Sequence, residues 1–259
     1  MKALAARRHH RAAPVVLLLL ALLVTGGVYA VLAPSSATAE TASTADIETG
    51  DKLFQANCAT CHGPNAEGTS EAPSLVGVGA AAVDFQVSTG RMPMQQNGPQ
   101  AAAKPPQMDE AQTAALAAYV ASLGAGPAIP TDEQVDPALG DPSNGLEVFR
   151  TNCAMCHNAI GAGGALSEGK YAPSLEDTSP RNIYQAMLTG PQSMPVFNDA
   201  NITPEDKRDV IAYLEDQKAG SAGGFALGGI GPVAEGLWAW IIGIGLLIAG
   251  SVWIGAKSS

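Results

Sequence analysis

Positive charge is scarce in this chain of 259 residues, which has 14 lysines and arginines against 24 aspartates and glutamates and a net charge of −10. Five of the basic residues flank two long apolar runs: Lys2, Arg7, Arg8, Arg11 and Lys257. Without them, 9 basic residues remain. This balance argues against nucleic acid or anionic lipid as a partner. It suits a partner with a basic face, and it equally suits a surface that only keeps the protein soluble.

Catalytic motifs are also missing. The sequence has no phosphate-binding loop and no recognisable pairing of a nucleophile with a general base, so we expect no chemistry on a small substrate. Cysteine and histidine are rare, with four of each. All four cysteines lie in two copies of C-x-x-C-H, at 58–62 and 153–157. The other two histidines, His9 and His10, belong to a basic N-terminal tail.

The C-x-x-C-H pattern is typical of covalent haem c attachment. The two thiols add across the porphyrin vinyl groups, and the adjacent histidine is held where its imidazole can ligate iron. A zinc site made by all four cysteines is formally possible but leaves both histidines unexplained. A thioredoxin-like dithiol would need a βαβ context, and no alternating strand pattern flanks either motif. We therefore predict two covalent haems, attached through Cys58, Cys61, Cys153 and Cys156 and ligated by His62 and His157.

The surroundings of the two motifs repeat with a period near 95 residues. G-D-K-L-F-Q-A-N-C at 50–58 corresponds to G-L-E-V-F-R-T-N-C at 145–153, and A-P-S-L occurs at 72–75 and at 172–175. A period of this length indicates two small domains from a tandem duplication. We place the domains at 46–124 and 141–219, separated by a Pro- and Gly-rich linker at 125–140.

Local patterns add coarse secondary structure. Short helices are predicted at 48–57 and 143–152, leading into the motifs. Thr203 followed by Pro204 is typical of a helix start, and Asp109 begins the matching helix of the first domain. Four aromatic residues are predicted to pack in the cores without a chemical role: Phe54, Tyr119, Phe149 and Tyr213.

Methionine is the available sixth iron ligand, because no histidine remains outside the tail and the motifs. Met194 in S-M-P and Met92 in R-M-P follow corresponding T-G pairs, so we predict these two as the distal ligands. Met94 stays open as the alternative to Met92. Met108 corresponds to Ile202 and Met187 lies on a predicted helix, so both are assigned to core packing.

Two uncharged apolar runs, 14–33 and 236–256, are each long enough to span a bilayer. The first is a membrane anchor or a cleaved signal, and these alternatives stay open. Tryptophans lie near both ends of the second, as interfacial tryptophans do. Basic residues at the outer ends put the tails 1–13 and 257–259 in the cytoplasm and the haem domains outside the cell membrane. The stretches 34–45 and 220–235 are interpreted as tethers.

Each half, with C-x-x-C-H, a Met-Pro loop and a C-terminal tyrosine helix, resembles a class I cytochrome c domain. The whole chain resembles the dihaem cytochrome c subunit of the actinobacterial menaquinol–cytochrome c reductase, also called the cytochrome bcc complex. The resemblance implies an all-α fold with a membrane helix at each end. It also implies that the carbonyls of Pro73 and Pro173 orient the proximal imidazoles.

In that family, electrons pass from menaquinol to a Rieske iron–sulfur subunit, through the two haems and on to a terminal aa3-type oxidase. The implied partners are the cytochrome b subunit, the Rieske subunit, that oxidase and the membrane, with no nucleic acid. Three alternatives remain: a cytochrome acceptor of a periplasmic dehydrogenase, a cytochrome tethered to an oxidase alone, and a dihaem peroxidase. The peroxidase would need an open iron site, which two Met-Pro loops argue against.

Overall fold

The computed structural model describes residues 13–32, 43–96, 98–219 and 232–257, and the chain forms two compact units, 1–41 and 42–259. In the first unit, helix α1 spans Ala13–Leu32, and its side chains over 14–27 are apolar and exposed. The apolar stretch Pro14–Gly27 is shorter than a bilayer span, whereas the whole helix has 20 residues. The basic tail and most of both predicted tethers lie outside the described residues.

Four helices form the first half of the second unit. They are α2 (Thr44–Asn57), α3 (Ala59–His62), α4 (Gly79–Ser88) and α5 (Glu110–Ser122). Helix α2 crosses α5 at Gly50, where an added Cβ would overlap the carbonyl of Ala115. One turn later, the rings of Phe54 and Tyr119 pack with centroids 5.2 Å apart. Only glycine allows the two backbones to approach so closely.

The second half repeats this arrangement with α7 (Pro142–Asn152), α8 (Ala154–His157), α9 (Pro180–Thr189) and α10 (Pro204–Lys218). A Cβ on Gly145 would overlap the carbonyl of Asp209, and the rings of Phe149 and Tyr213 lie 5.5 Å apart. Phe54, Phe149 and Tyr213 are at most 5% exposed and Tyr119 is half-buried, so the predicted core packing of these aromatics is confirmed.

The predicted helix starts are also confirmed. Asp109 and Thr203 are N-caps, each closing a capping box with the residue three positions later, Gln112 and Asp206. Pro204 occupies the first turn of α10, where its missing N–H costs nothing. The helices predicted at 48–57 and 143–152 end where expected, but they begin earlier, at Thr44 and Pro142.

The all-α prediction is confirmed only in part, because the second half contains a small antiparallel pair, β1 (Gly164–Ala165) and β2 (Tyr171–Ala172). The pair lies in a loop that is longer than its counterpart in the first half. The stretch predicted as a linker also has regular structure, with α6 (Asp132–Val135) and a 3-10 turn at Pro137–Leu139. Gln134 in α6 donates to the hydroxyl of Tyr184, which anchors this stretch to the second half.

The last helix, α11 (Pro232–Lys257), carries a stretch at Gly236–Lys257 that is long and apolar enough to cross a membrane. Among the described residues it is the one helix that meets this test. Its tryptophans are more than half exposed, at positions Trp238, Trp240 and Trp253. A helix that exposes apolar residues all round needs lipid or another protein around it.

Candidate haem sites

The first C-x-x-C-H motif forms a single helical turn that continues directly from α2. The amide of Cys58 donates to the carbonyl of Phe54 at 2.8 Å, and the amides of Cys61 and His62 donate to the carbonyl of Cys58 at 3.1 and 3.0 Å. Residues at i, i+3 and i+4 share one face of a helix. The turn therefore directs two thiols and one imidazole to the same side.

The second motif forms the same turn at the end of α7. Cys153 donates to the carbonyl of Phe149 at 2.8 Å, and Cys156 and His157 donate to the carbonyl of Cys153 at 3.1 and 2.9 Å. Met155 is 92% exposed and points away from the core, as expected for a residue between the two cysteines. Both motifs thus have the geometry that attachment of one porphyrin through two thioethers requires.

Each proximal histidine is fixed by a proline carbonyl. His62 Nδ1 lies 2.8 Å from the oxygen of Pro73, and His157 Nδ1 lies 3.1 Å from the oxygen of Pro173. Because a carbonyl only accepts, Nδ1 must carry the proton, and Nε2 keeps its lone pair for a metal. Hydrogen bonding of this kind orients a ligating imidazole and raises its basicity.

Equivalent loops bring the prolines to the histidines. Leu75 donates to the carbonyl of Ala66 at 2.8 Å, and Leu175 donates to the carbonyl of Gly161 at 2.7 Å. His157 is 8% exposed, and this burial lowers the pKa of its imidazole, while the bond to Pro173 acts in the opposite direction. A neutral imidazole is the form that binds iron.

The thiols are not those of a redox dithiol. Burial, with a smaller effect of Cys61, raises the pKa of Cys58 to about 11, and burial with Cys156 raises that of Cys153 to about 12. Catalytic C-x-x-C thiols have lowered pKa values instead. All four thiols are unpaired, and no group of three or more potential metal-binding His, Cys, Asp or Glu residues occurs in the part of the chain that the structure describes. A shared zinc site therefore has no support in this geometry.

The predicted distal methionines both pack against the core that holds the motif of their own domain. Met92 contacts the cluster of Phe54, Val87 and Leu116, which also receives Cys58. Met194 is half-buried against the cluster that contains Phe149 and Cys153.

The remaining methionines differ in their surroundings. Met94 lies with Gln95 and Gln96 in a polar surface loop and is not among the residues packed on the core. Met108 does pack there, and Met187 is 2% exposed in the second core, so core packing is confirmed for both. Met92 thus differs from Met94 in contacting the core, and its role as an iron ligand stays a prediction.

A haem fits this donor set. Each domain offers two thiols, one imidazole with a free Nε2 and one thioether, and each set borders an apolar cluster. Apolar surroundings and a donor set of one imidazole and one thioether would suit a haem that carries electrons.

Sequence reasoning missed the polar residues that join the two halves. Buried Asp84 contacts Arg181 and Gln185, and Gln100 contacts the backbone of Tyr171. For Gln100 and Tyr171, a signal was present as a length difference between the repeats. The loop after the Met-Pro pair runs over 94–108 in the first half but only 196–202 in the second, and the loop after the haem motif is longer in the second half.

Two family models match separate parts of the chain. Residues 47–124 match the model described as Cytochrome c, and residues 140–214 match the one described as Cytochrome C oxidase, cbb3-type, subunit III. With the paired motifs, these matches define a protein with two cytochrome c domains in tandem.

Curated relatives narrow the assignment. The cytochrome bc1 complex cytochrome c subunit of Corynebacterium efficiens is 49% identical over 240 residues, covering 86% of this chain and 80% of that protein. The subunit of the same name from Mycobacterium tuberculosis is 47% identical over 244 residues, covering 91% and 87%. Cytochrome c6 of Limnospira maxima is 35% identical over 85 residues, covering 30% of this chain and 94% of that protein. The chain belongs to the family of cytochrome bc1 complex cytochrome c subunits, so the resemblance inferred from the sequence is confirmed.

Proposed function

We propose that this protein is the dihaem cytochrome c subunit of a respiratory menaquinol–cytochrome c reductase. In this role it relays electrons from the Rieske iron–sulfur subunit through two covalent haems to a terminal aa3-type cytochrome oxidase. The observation that carries the proposal is the duplicated site, in which a C-x-x-C-H turn, a proline-bound imidazole and a half-buried methionine recur in both domains. Two such sites in one chain suit a relay with no diffusing carrier, because tethering raises the effective concentration of the second site.

The cysteines, the histidine and the methionine of each site have different roles. A bound haem c supplies one iron that alternates between the ferric and ferrous states and so carries one electron at a time. Cys58 with Cys61, and Cys153 with Cys156, hold the group covalently. His62 and His157 would hold the iron through Nε2, because each Nδ1–H donates to a proline carbonyl. Met92 and Met194 would supply the thioether that completes each site, and a thioether ligand would exclude other ligands and favour a high reduction potential.

The membrane arrangement follows from the two apolar helices. We propose a multi-pass protein in the cell membrane, with α1 and α11 as spans and the haem domains on the extracytoplasmic side. The cytochrome b subunit would then lie beside the helices. The Rieske subunit and the oxidase would dock on acidic domains, since residues 46–124 have 8 acidic and 3 basic side chains and residues 141–219 have 11 and 6.

A second candidate is a cytochrome tethered to an oxidase alone. The match of residues 140–214 to a subunit model of a cbb3-type oxidase favours it. The two functions differ in the subunits that are bound to the chain. Only the reductase contains a cytochrome b subunit and a quinol-oxidising activity.

A reduced-minus-oxidised visible spectrum of the tagged protein, purified in mild detergent with its bound partners, separates these functions. Haem c with b and a supports the reductase in contact with an oxidase. Haem c with a and no b supports the oxidase-tethered cytochrome. Haem c alone, beside a large substrate-oxidising subunit, would instead indicate a dehydrogenase partner.

A further inference from the structure

The two cytochrome c domains meet through a buried carboxylate. Asp84 on α4 is 6% exposed, and its only side-chain partners given by the structure lie on α9 of the other domain. Arg181 Nε donates to Asp84 Oδ2 at 3.0 Å, and Gln185 Nε2 donates to the same oxygen at 2.5 Å. Gln185 is fully buried. Neither residue is adjacent to a haem motif in the sequence.

A second polar contact lies in the two loops that differ in length between the repeats. Gln100 of the first domain forms two hydrogen bonds with Tyr171 of the second: its Nε2 donates to the Tyr171 carbonyl at 2.9 Å, and its Oε1 accepts from the Tyr171 amide at 2.8 Å. Next to it, the Ala101 amide donates to Gln192 Oε1 at 3.2 Å. The longer loop of each domain thus contacts the other domain.

These contacts decide how firmly the domains hold together. Both domains are negatively charged, with 8 acidic against 3 basic residues over 46–124 and 11 against 6 over 141–219, so their overall charges repel. A carboxylate as buried as Asp84 is stable only while its hydrogen-bond donors are present. A different packing of the domains that kept Asp84 and Gln185 buried would leave the carboxylate without its donors and the amide without its acceptor, so such packings are disfavoured.

We propose that Asp84, with Arg181 and Gln185, fixes the relative orientation of the two cytochrome c domains, and that Gln100 adds a second fixed contact to the same interface. Asp84 is then a positioning residue for electron passage between the domains. The orientation itself is independent of the electron-relay function proposed above, whereas its effect on electron passage rests on that function.

Hydrogen–deuterium exchange of the intact haem-loaded chain in detergent tests the orientation directly. The amides of Tyr171 and Ala101 donate hydrogen bonds across the interface, so their exchange reports its opening. In Gln185→Glu, a second buried carboxylate faces Asp84, and we expect these two amides to exchange about tenfold faster or more. Amides within α5 and α10 should keep their rates, because each domain stays folded.

Rescue separates a specific contact from general damage. Asp84→Asn combined with Gln185→Glu exchanges the amide and the carboxylate, and it should restore slow exchange at Tyr171 and Ala101. Glu48→Gln removes the charge of an exposed acidic residue of the first domain and should change neither amide. Unchanged exchange in Gln185→Glu, or no recovery in the double variant, would overturn the proposal.

The same variants connect orientation to electron passage. After flash reduction of one site, the rate of equilibration between the two haems should fall about tenfold or more in Gln185→Glu and recover in the double variant, with the haem content unchanged. A normal rate together with fast amide exchange would overturn the positioning role. If exchange responds as expected but wild-type protein shows no equilibration between sites, then the relay function fails and the interface assignment stands.

Discussion

The Nδ1 atom of His157 lies 3.1 Å from the carbonyl oxygen of Pro173, and His62 makes the corresponding contact with Pro73 at 2.8 Å. The two contacts join motifs to loops that lie 16 and 11 residues further along the chain. Each fixes the tautomer and the ring direction of an imidazole before any metal is considered. The duplicated pair is thus the clearest sign that both domains are built for the same ligand.

Replacement of one distal methionine should free a coordination position on the iron of that domain and leave the other haem unchanged. In Met194→Ala, we expect the reduced protein to bind carbon monoxide at one of its two haems and the reduction potential of that haem to fall, because thioether ligation raises the potential. Met92→Ala should do the same at the other haem. Redox titration and carbon monoxide difference spectra measure both effects.

The matched control for the first domain is Met94→Ala, which changes a side chain of the polar loop and should leave both haems closed. If Met94→Ala opens a site and Met92→Ala does not, then the ligand assignment in the first domain is reversed.

The glycines at the two helix crossings should tolerate no side chain. In Gly50→Ala and Gly145→Ala, the new methyl group meets the carbonyl of Ala115 or Asp209, so we expect each change to lower the free energy of unfolding by about 1–3 kcal/mol. Gly98→Ala is the control, since a Cβ there meets nothing within 4 Å. Thermal unfolding of the detergent-purified protein compares the three. Equal melting temperatures for Gly145→Ala and Gly98→Ala would contradict the packing described for α7 and α10.

Replacement of the buried Lys207 should lower the free energy of unfolding less than replacement of its partner Asp199. Lys207 Nζ is fully buried and donates to Asp199 at 2.6 Å and to the Ile202 carbonyl at 2.7 Å, while the Asp199 side chain is 62% exposed. Asp199→Ala leaves a buried cation with one acceptor and should cost about 2 kcal/mol or more. Lys207→Met removes the cation and leaves Asp199 in water, so we expect a cost of about 1 kcal/mol.

Chemical denaturation, followed by a signal that reports the unfolding of α10, measures the loss of unfolding free energy in Asp199→Ala and in Lys207→Met. Lys170→Met, which removes a partly exposed cation 3.6 Å from Glu168, should shift the unfolding free energy by no more than about 0.5 kcal/mol. A larger loss in Lys207→Met than in Asp199→Ala would mean that the packing of the lysine, rather than its charge, dominates.

Much of this molecule follows from short-range pattern. The helical turn at 58–62, the N-cap of Thr203 and the core position of Phe149 depend on neighbours a few residues away, and the repeat shows each signal twice. The strands Gly164–Ala165 and Tyr171–Ala172 are too short to give an alternating pattern, so they could not be predicted.

Contacts between distant segments could not be predicted from local sequence patterns. Asp84 meets Gln185 101 positions later, and nothing in the local sequence marks either as buried. Lys207 is buried where the first domain has Thr113, and composition favours lysine on the surface. Both cases depend on partners that only the folded chain brings together.

The number of covalent haems on each chain tests the central claim most directly. Intact-mass spectrometry of the denatured protein, with haem staining of the same sample, should show the polypeptide plus two haems, and plus one haem in the paired variants Cys58→Ala with Cys61→Ala and Cys153→Ala with Cys156→Ala. Non-covalent groups are lost on denaturation, so only thioether attachment survives. A wild-type mass with one haem or none would contradict the account of two equivalent sites.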